Sequence, residues 1–197
     1  MPDIAVELLA ALAVLLVAGG LIGFLAGVFG VGGGAISVPL FYEVFRLLDV
    51  DEAVRMPLAV GTSLAVIVPT SIVSARAHWR RGTVDMDLLR VWAVPLLVGV
   101  LAGAAIARYA DPWLFKVVFV LVAGVNAAKL LTGGKGWRLR DGLPGRTTLR
   151  AYGAVTGLLS ALMGIGGGAI TNLILTLHGV SIHRAVSTGA GAGVLIA

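Results

Sequence analysis

Two copies of one glycine-rich stretch constrain this chain more than any other feature: GFLAGVFGVGGGAISVPL at residues 23–40 and GLLSALMGIGGGAITNLI at residues 157–174. At an offset of 134, Gly23, Gly30, Gly32, Gly33, Gly34, Ala35 and Ile36 fall on Gly157, Gly164, Gly166, Gly167, Gly168, Ala169 and Ile170. A triple glycine inside an apolar stretch makes a poor helix, at roughly 1 kcal/mol per glycine relative to alanine. Its recurrence points to a repeated use for broken backbone. In a membrane such backbone persists where it is buried in protein or lines a site.

The membrane setting follows from composition. With 58% hydrophobic and 13% charged residues and a mean hydropathy of +1.00, a chain of 197 residues has too much apolar surface to be solvated by water. Charge-free runs locate the spans: 35 residues between Glu7 and Glu43, 20 between Arg55 and Arg76, and 17 between Arg90 and Arg108. Each approaches or exceeds the ~20 residues of a crossing. Pro112 to Ala128 reads as a fourth span, with Lys116 near one end and able to extend its ammonium to the interface. A fifth region runs from Ala151 to about His178, and Ala185 to Ala197 opens a sixth.

The first region is too long for one straight crossing, since its 35 residues would reach ~52 Å as a helix. The break is expected at Gly32 to Gly34, with a helix up to about Phe29 and a shorter segment from Ala35 to about Leu48 that dips back into the bilayer. The predicted fold is therefore all-α, a polytopic helical bundle with two related repeats and glycine-broken helices. Residues 1–131 form the first repeat with about four transmembrane helices, 132–150 a basic cytoplasmic loop, and 151–197 the start of the second repeat. Repeat arithmetic predicts that this second copy stops about two spans short of completion. Four crossings counted between the blocks make the repeats parallel, whereas an odd number would make them inverted.

Basic residues set the expected orientation. Arg76, Arg80, Arg81 and Arg90 mark one loop region, and Lys129, Lys135, Arg138, Arg140, Arg146 and Arg150 mark another. By the positive-inside rule both are cytoplasmic, with the amino terminus inside if the first region crosses once. The net charge of +5 is accounted for by these loops, which lack the aromatic interleaving of a nucleic-acid surface. With zero cysteines and three isolated histidines, neither a disulfide nor a metal site is expected, and no cofactor. The chain contains neither G-x-S-x-G nor H-E-x-x-H.

Glycines at every fourth position, Gly19, Gly23 and Gly27, then Gly153 and Gly157 followed by Ala161, read as packing rows that let another helix approach, as do Gly99 and Gly103. The triple glycines read as binding elements. A helix that restarts after a break presents free amides and a partial positive charge at its amino terminus, which suits an anion without any basic side chain. The candidate substrate-binding residues are Gly32, Gly33, Gly34, Ser37, Gly166, Gly167, Gly168, Thr171 and Asn172, with Thr62 and Ser63 on the second span. For Ser37 and Thr171, ligand contact and back-bonding to a helix carbonyl are equally open. Thr62 and Ser63 align with Val194 and Leu195 at an offset of 132, so a site using them is asymmetric.

The glycine block ending in Val-Pro-Leu, the A-V-G-T-S segment at 59–63, the T-S-x-x-S-x-x-x-H-x-R-R-G-x-V-D run from Thr70 to Asp85 and the second glycine block together resemble the TauE/SafE family of sulfite exporters. The resemblance covers nearly the whole chain. It implies a secondary transporter, not an enzyme, for sulfite, sulfonate or a related small sulfur-containing anion in the inner membrane of a cell. The partners it implies are that anion and the lipid bilayer, no nucleic acid; a homo-oligomer also fits. His78, Arg80, Arg81, Gly82 and Asp85 match the family's loop pattern, in a gating role or as a topology anchor. Two rival classes are a membrane enzyme acting on phosphorylated lipid, for which no nucleophile or base lies near the breaks, and a structural membrane protein whose glycines serve helix packing only.

Overall fold

The structure is a computed structural model that describes residues 2–29, 33–132, 137–140 and 142–196. Within them the chain is all-helical: α1 Pro2–Phe29, α2 Gly34–Leu47, α3 Glu52–Arg80, α4 Met86–Ala107, α5 Pro112–Leu131, α6 Arg146–Met163, α7 Gly168–Leu177 and α8 Ile182–Ile196. Among the described residues three helices, α3, α4 and α5, are long and apolar enough to cross a membrane. Helices α2 and α7, of 14 and 10 residues, reach only ~21 and ~15 Å and stop short of the ~30 Å hydrocarbon core.

Local chemistry sets the helix starts. Asp51 caps α3 by accepting the Ala53 amide at 2.8 Å, and Asp85 caps α4 by accepting the Leu88 amide at 3.1 Å. Pro112 opens α5, where its missing N–H costs nothing. Helix α6 starts at Arg146, inside the segment read as loop from sequence. The reason is that 146–150 contains no breaker, and Arg146 and Arg150 are exposed.

The core is built on a parallel pair, α4 and α6, whose glycines interlock. A Cβ on Gly157 would lie 2.1 Å from the Leu96 carbonyl oxygen, and one on Gly99 would lie 2.0 Å from that of Ala154. Gly153 abuts Trp92, and Gly103 meets Leu158 and Ala161. Small residues on both helices thus bring the two backbones into contact. The matching row on α1 behaves differently: a Cβ on Gly19, Gly23 or Gly27 would meet nothing within 4 Å. The packing role expected for that row is therefore not met among the described residues, because α1 touches the bundle chiefly at α2.

Contacts fix the helix directions. Ser187 on α8 bonds His78 on α3, while Gly193 lies 3.4 Å (from its would-be Cβ) from Ser71, so α3 and α8 run antiparallel. At the basic end of the bundle, α7 finishes beside the start of α6: the His178 and Tyr152 rings are 5.5 Å apart. The amides of Leu139 and Gly142 donate to the carbonyls of Leu177 and His178. At the far end, α2 finishes among the start of α3 and the start of α5, where Lys116 pairs with Glu52 at 3.0 Å and Arg55 and Lys116 both lie over the Tyr42 ring. Helices α2 and α7 accordingly start together in the middle of the bundle and diverge toward opposite ends. Helices α6 and α7 thus form a hairpin whose two outer ends lie together at the basic end. The three helices long and apolar enough to cross, α3, α4 and α5, all lie between the two glycine blocks in sequence.

Candidate functional site

The α6–α7 break lies where α2, α3, α6 and α8 meet. Gly164 ends α6 at φ +67°, and Gly167 precedes α7 at φ +72°. Both are left-handed conformations that L side chains resist, so glycine is dictated by backbone as well as by space. A Cβ on Gly164 would lie 2.9 Å from the Val60 Cα and 3.0 Å from a Val38 methyl; one on Gly167 would lie 2.3 Å from Ile196 Cδ1. Ser63, fully buried, donates to the Gly164 carbonyl at 2.7 Å and fixes the turn from across the bundle.

The break creates donors. The first α7 amide that reaches a backbone carbonyl among the described residues is that of Thr171, to Gly167 at 2.9 Å. The amides of Gly168, Ala169 and Ile170 are first-turn donors that a helix leaves unsatisfied by itself. The same hairpin carries buried hydroxyls without partners. Ser160 Oγ, Thr171 Oγ1 and Thr156 Oγ1 are fully buried and have no hydrogen-bond partner among the described residues. Ser160 Oγ is 3.6 Å from the position a Gly167 Cβ would take, which aims it at the break. Burying a hydroxyl without a partner costs on the order of 1–3 kcal/mol. Ser160, beside the break, and Thr171, at the first turn of α7, put two such hydroxyls at a positive helix end, a setting that favours a small anion.

The first break contributes less. Gly32 lies outside the described residues. Gly33 caps α2, and its carbonyl receives the amides of Ile36 and Ser37 at 3.1 and 2.9 Å together with the Ser37 hydroxyl at 2.9 Å. Ser37 is thereby back-bonded to its own helix. Gly34 packs directly on the second break, since a Cβ there would lie 2.4 Å from the Gly164 carbonyl oxygen. The two breaks meet, but at Gly34 they meet as packed backbone with no gap between them.

The remaining candidates sort by position. Gly166 lies under Ile67, and Gly168 opens α7 against Gly189. Asn172, nearly buried, holds its Oδ1 3.4 Å from the would-be Cβ of Gly189. Thr62 is half-buried on α3 and faces away from the bond Ser63 makes. His78 bonds Ser187 at 3.1 Å at the basic end, where Arg80 and Arg81 are exposed. Sequence reasoning missed Asp85's wider role: its carboxylate also pairs with Arg184 at 2.8 Å and its amide donates to Thr188 Oγ1 at 3.2 Å. It also missed Ser160 and Thr156, although a signal existed: at the same offset they replace Ala26 and Ile22.

The family model described as Sulfite exporter TauE/SafE matches residues 15–197. A probable membrane transporter protein of Haemophilus influenzae is 33% identical over 182 residues, which is 92% of this chain and 69% of that protein. One of Methanocaldococcus jannaschii is 27% identical over 94% of this chain and 69% of its own length. Another, of Bacillus subtilis, is 26% identical over 80% of this chain and 64% of its own length. No solved structure matches the chain.

Proposed function

The chain belongs to the TauE/SafE sulfite exporter family, a family of membrane transporters, and from that premise we propose that it is a secondary transporter of sulfite, a sulfonate or a related small sulfur-containing anion. The inner membrane of the cell is its proposed location, with the basic end of the bundle cytoplasmic. The observation that carries the substrate reading is the set of unpartnered hydroxyls, Ser160 and Thr171 foremost, buried beside the free amides of α7. A small oxyanion satisfies both sets of donors at once, and no lysine or arginine is needed where the helix end supplies the charge.

Helices α2 and α7 start side by side and run toward opposite ends, which supports an inverted-repeat reading in which α7 supplies most of the site. Alternating access then follows from rocking one repeat against the other. The contact His78–Ser187 and the pair Asp85–Arg184 tie α8 to α3 and to the start of α4 at the basic end, which supports the reading of His78 as a gating residue with Arg80 and Arg81 as topology anchors. The packing-only reading draws on the fit of Gly34 against Gly164, yet it leaves the hydroxyls without function.

The test is sulfite binding and radiolabelled sulfite flux in proteoliposomes, comparing Ser160→Ala and Thr171→Val with wild type. Losing a hydrogen bond to a charged ligand weakens binding by about 10-fold or more. Unchanged sulfite affinity in both variants would remove the anion site from α7.

A further inference from the structure

Two buried donors lie outside the proposed anion site. Trp92 Nε1 on α4 and Thr156 Oγ1 on α6 belong to fully buried residues, and neither has a hydrogen-bond partner among the described residues. A hydroxyl inside a helix has a partner within reach, the carbonyl three or four residues back. Ser37, Thr70, Ser71 and Ser187 all take it. Thr156 and Ser160, one turn apart on α6, do not. Packing alone gives no reason for an indole N–H at position 92 either, since a hydrocarbon side chain fills a core without a bare donor.

Three helices join these groups to the break. Along α6, a Cβ on Gly153 would lie 3.3 Å from Trp92 Cγ, Thr156 is on the next turn and Ser160 on the one after, and Ser160 Oγ lies 3.6 Å from the would-be Cβ of Gly167. Gly153 and Ser160 are thus ~10 Å apart along the axis. Along α8, Ile196 shares a buried cluster with Trp92, and its Cδ1 is 2.3 Å from that same Gly167 position. Along α7, Leu175 of the cluster stands one turn beyond Thr171. Because α6 starts at the basic end and stops at the break, the order of unpartnered donors from the break outward is Ser160, Thr156, Trp92.

We propose that Thr156 and Trp92 form a second station for the small oxyanion, on its route between the first turn of α7 and the basic end, with Trp92 as the gate that closes the route in this conformation. The inference rests on the anion site proposed above and adds the path that leads from it. Both donors are neutral, so they hold an anion strongly enough to draw it from the helix end and weakly enough to release it. Leu88 and Leu149, in the cluster of Trp92 and nearer the helix starts, complete the apolar seal on the outer side of the indole.

The experiment measures sulfite affinity, radiolabelled sulfite flux and melting temperature for the full chain, for Thr156→Val, and for a variant with benzothienylalanine in place of Trp92, which keeps the fused rings and lacks the N–H. Both variants are expected to melt at the wild-type temperature or above it, because a bare buried donor gives way to an apolar group of the same shape. Sulfite affinity should stay within about twofold of wild type while flux falls about 10-fold, the loss of one hydrogen bond to a charged ligand. Wild-type flux in both variants overturns this inference and spares the anion site. A melting temperature that falls together with flux in both also overturns it, since it assigns the two groups to packing. Affinity that falls in step with flux overturns the second station by placing both groups in the first. A wild-type chain that neither binds nor moves sulfite removes the anion site, and this inference falls with it.

Discussion

Ser63 on α3 and Gly164 at the end of α6 are joined by a buried 2.7 Å hydrogen bond between residues 101 positions apart. The carbonyl it satisfies belongs to a left-handed glycine, so no helix bond competes for it. Ser63→Ala leaves that carbonyl buried without its partner and is expected to cost about 1–3 kcal/mol. Thermal unfolding in detergent checks this; a melting temperature equal to wild type would show that the turn holds without Ser63.

The equivalent glycines Gly157 and Gly23 should respond in opposite ways to alanine. At Gly157 the new methyl would lie 2.1 Å from the Leu96 carbonyl oxygen, and backbone on both sides prevents relief. The expected cost is about 1–3 kcal/mol or more, the range for overpacking. At Gly23 nothing lies within 4 Å, so Gly23→Ala is expected to be neutral, or stabilising by about 0.5–1 kcal/mol through helix propensity. Comparable destabilisation by both would mean that α1 is packed as tightly as α6.

Asp85 does three things where Arg184 does one. Its carboxylate caps α4 through the Leu88 amide and pairs with Arg184, and its amide donates to Thr188. Arg184 is mostly exposed, so its pair is worth about 0.2–1 kcal/mol. Removing the cap adds about 1 kcal/mol. Asp85→Ala should therefore destabilise more than Arg184→Ala, and high salt should narrow only the ion-pair share. Equal losses in both variants would assign the whole effect to the ion pair.

The long helices were legible because apolar length and charge-free runs report membrane spans directly, as α3, α4 and α5 illustrate. The TauE/SafE resemblance was legible for the same reason that the glycines were: its residues lie close together in sequence. The direction of α7 was not. Composition cannot distinguish a half-helix that turns back from one that continues, and the decisive contacts, Tyr152 with His178 and Leu139 with Leu177, are long-range. Ser160 belongs to no motif and stands out only by its burial and missing partner. Ser37 went the other way, since a hydroxyl four residues after an unsatisfied carbonyl can always turn back on it.

The hairpin of α6 and α7 sets which loops share a side of the membrane, and the absence of cysteine from all 197 residues makes this directly measurable. Single cysteines at Thr83, Leu139 and Ser181 lie at the basic end, next to the starts of α4, α6 and α8, and all three positions are exposed. Cysteines at Leu48 and Tyr109 lie in the turns at the far end and are also exposed. A membrane-impermeant maleimide applied to one face of sealed vesicles should label the first three together and spare the other two, and the opposite face should give the reverse. Ser181 is the discriminating position. If α6 and α7 together crossed the membrane, Ser181→Cys would label with Tyr109→Cys, α8 would run parallel to α3, and the inverted-repeat proposal would fall.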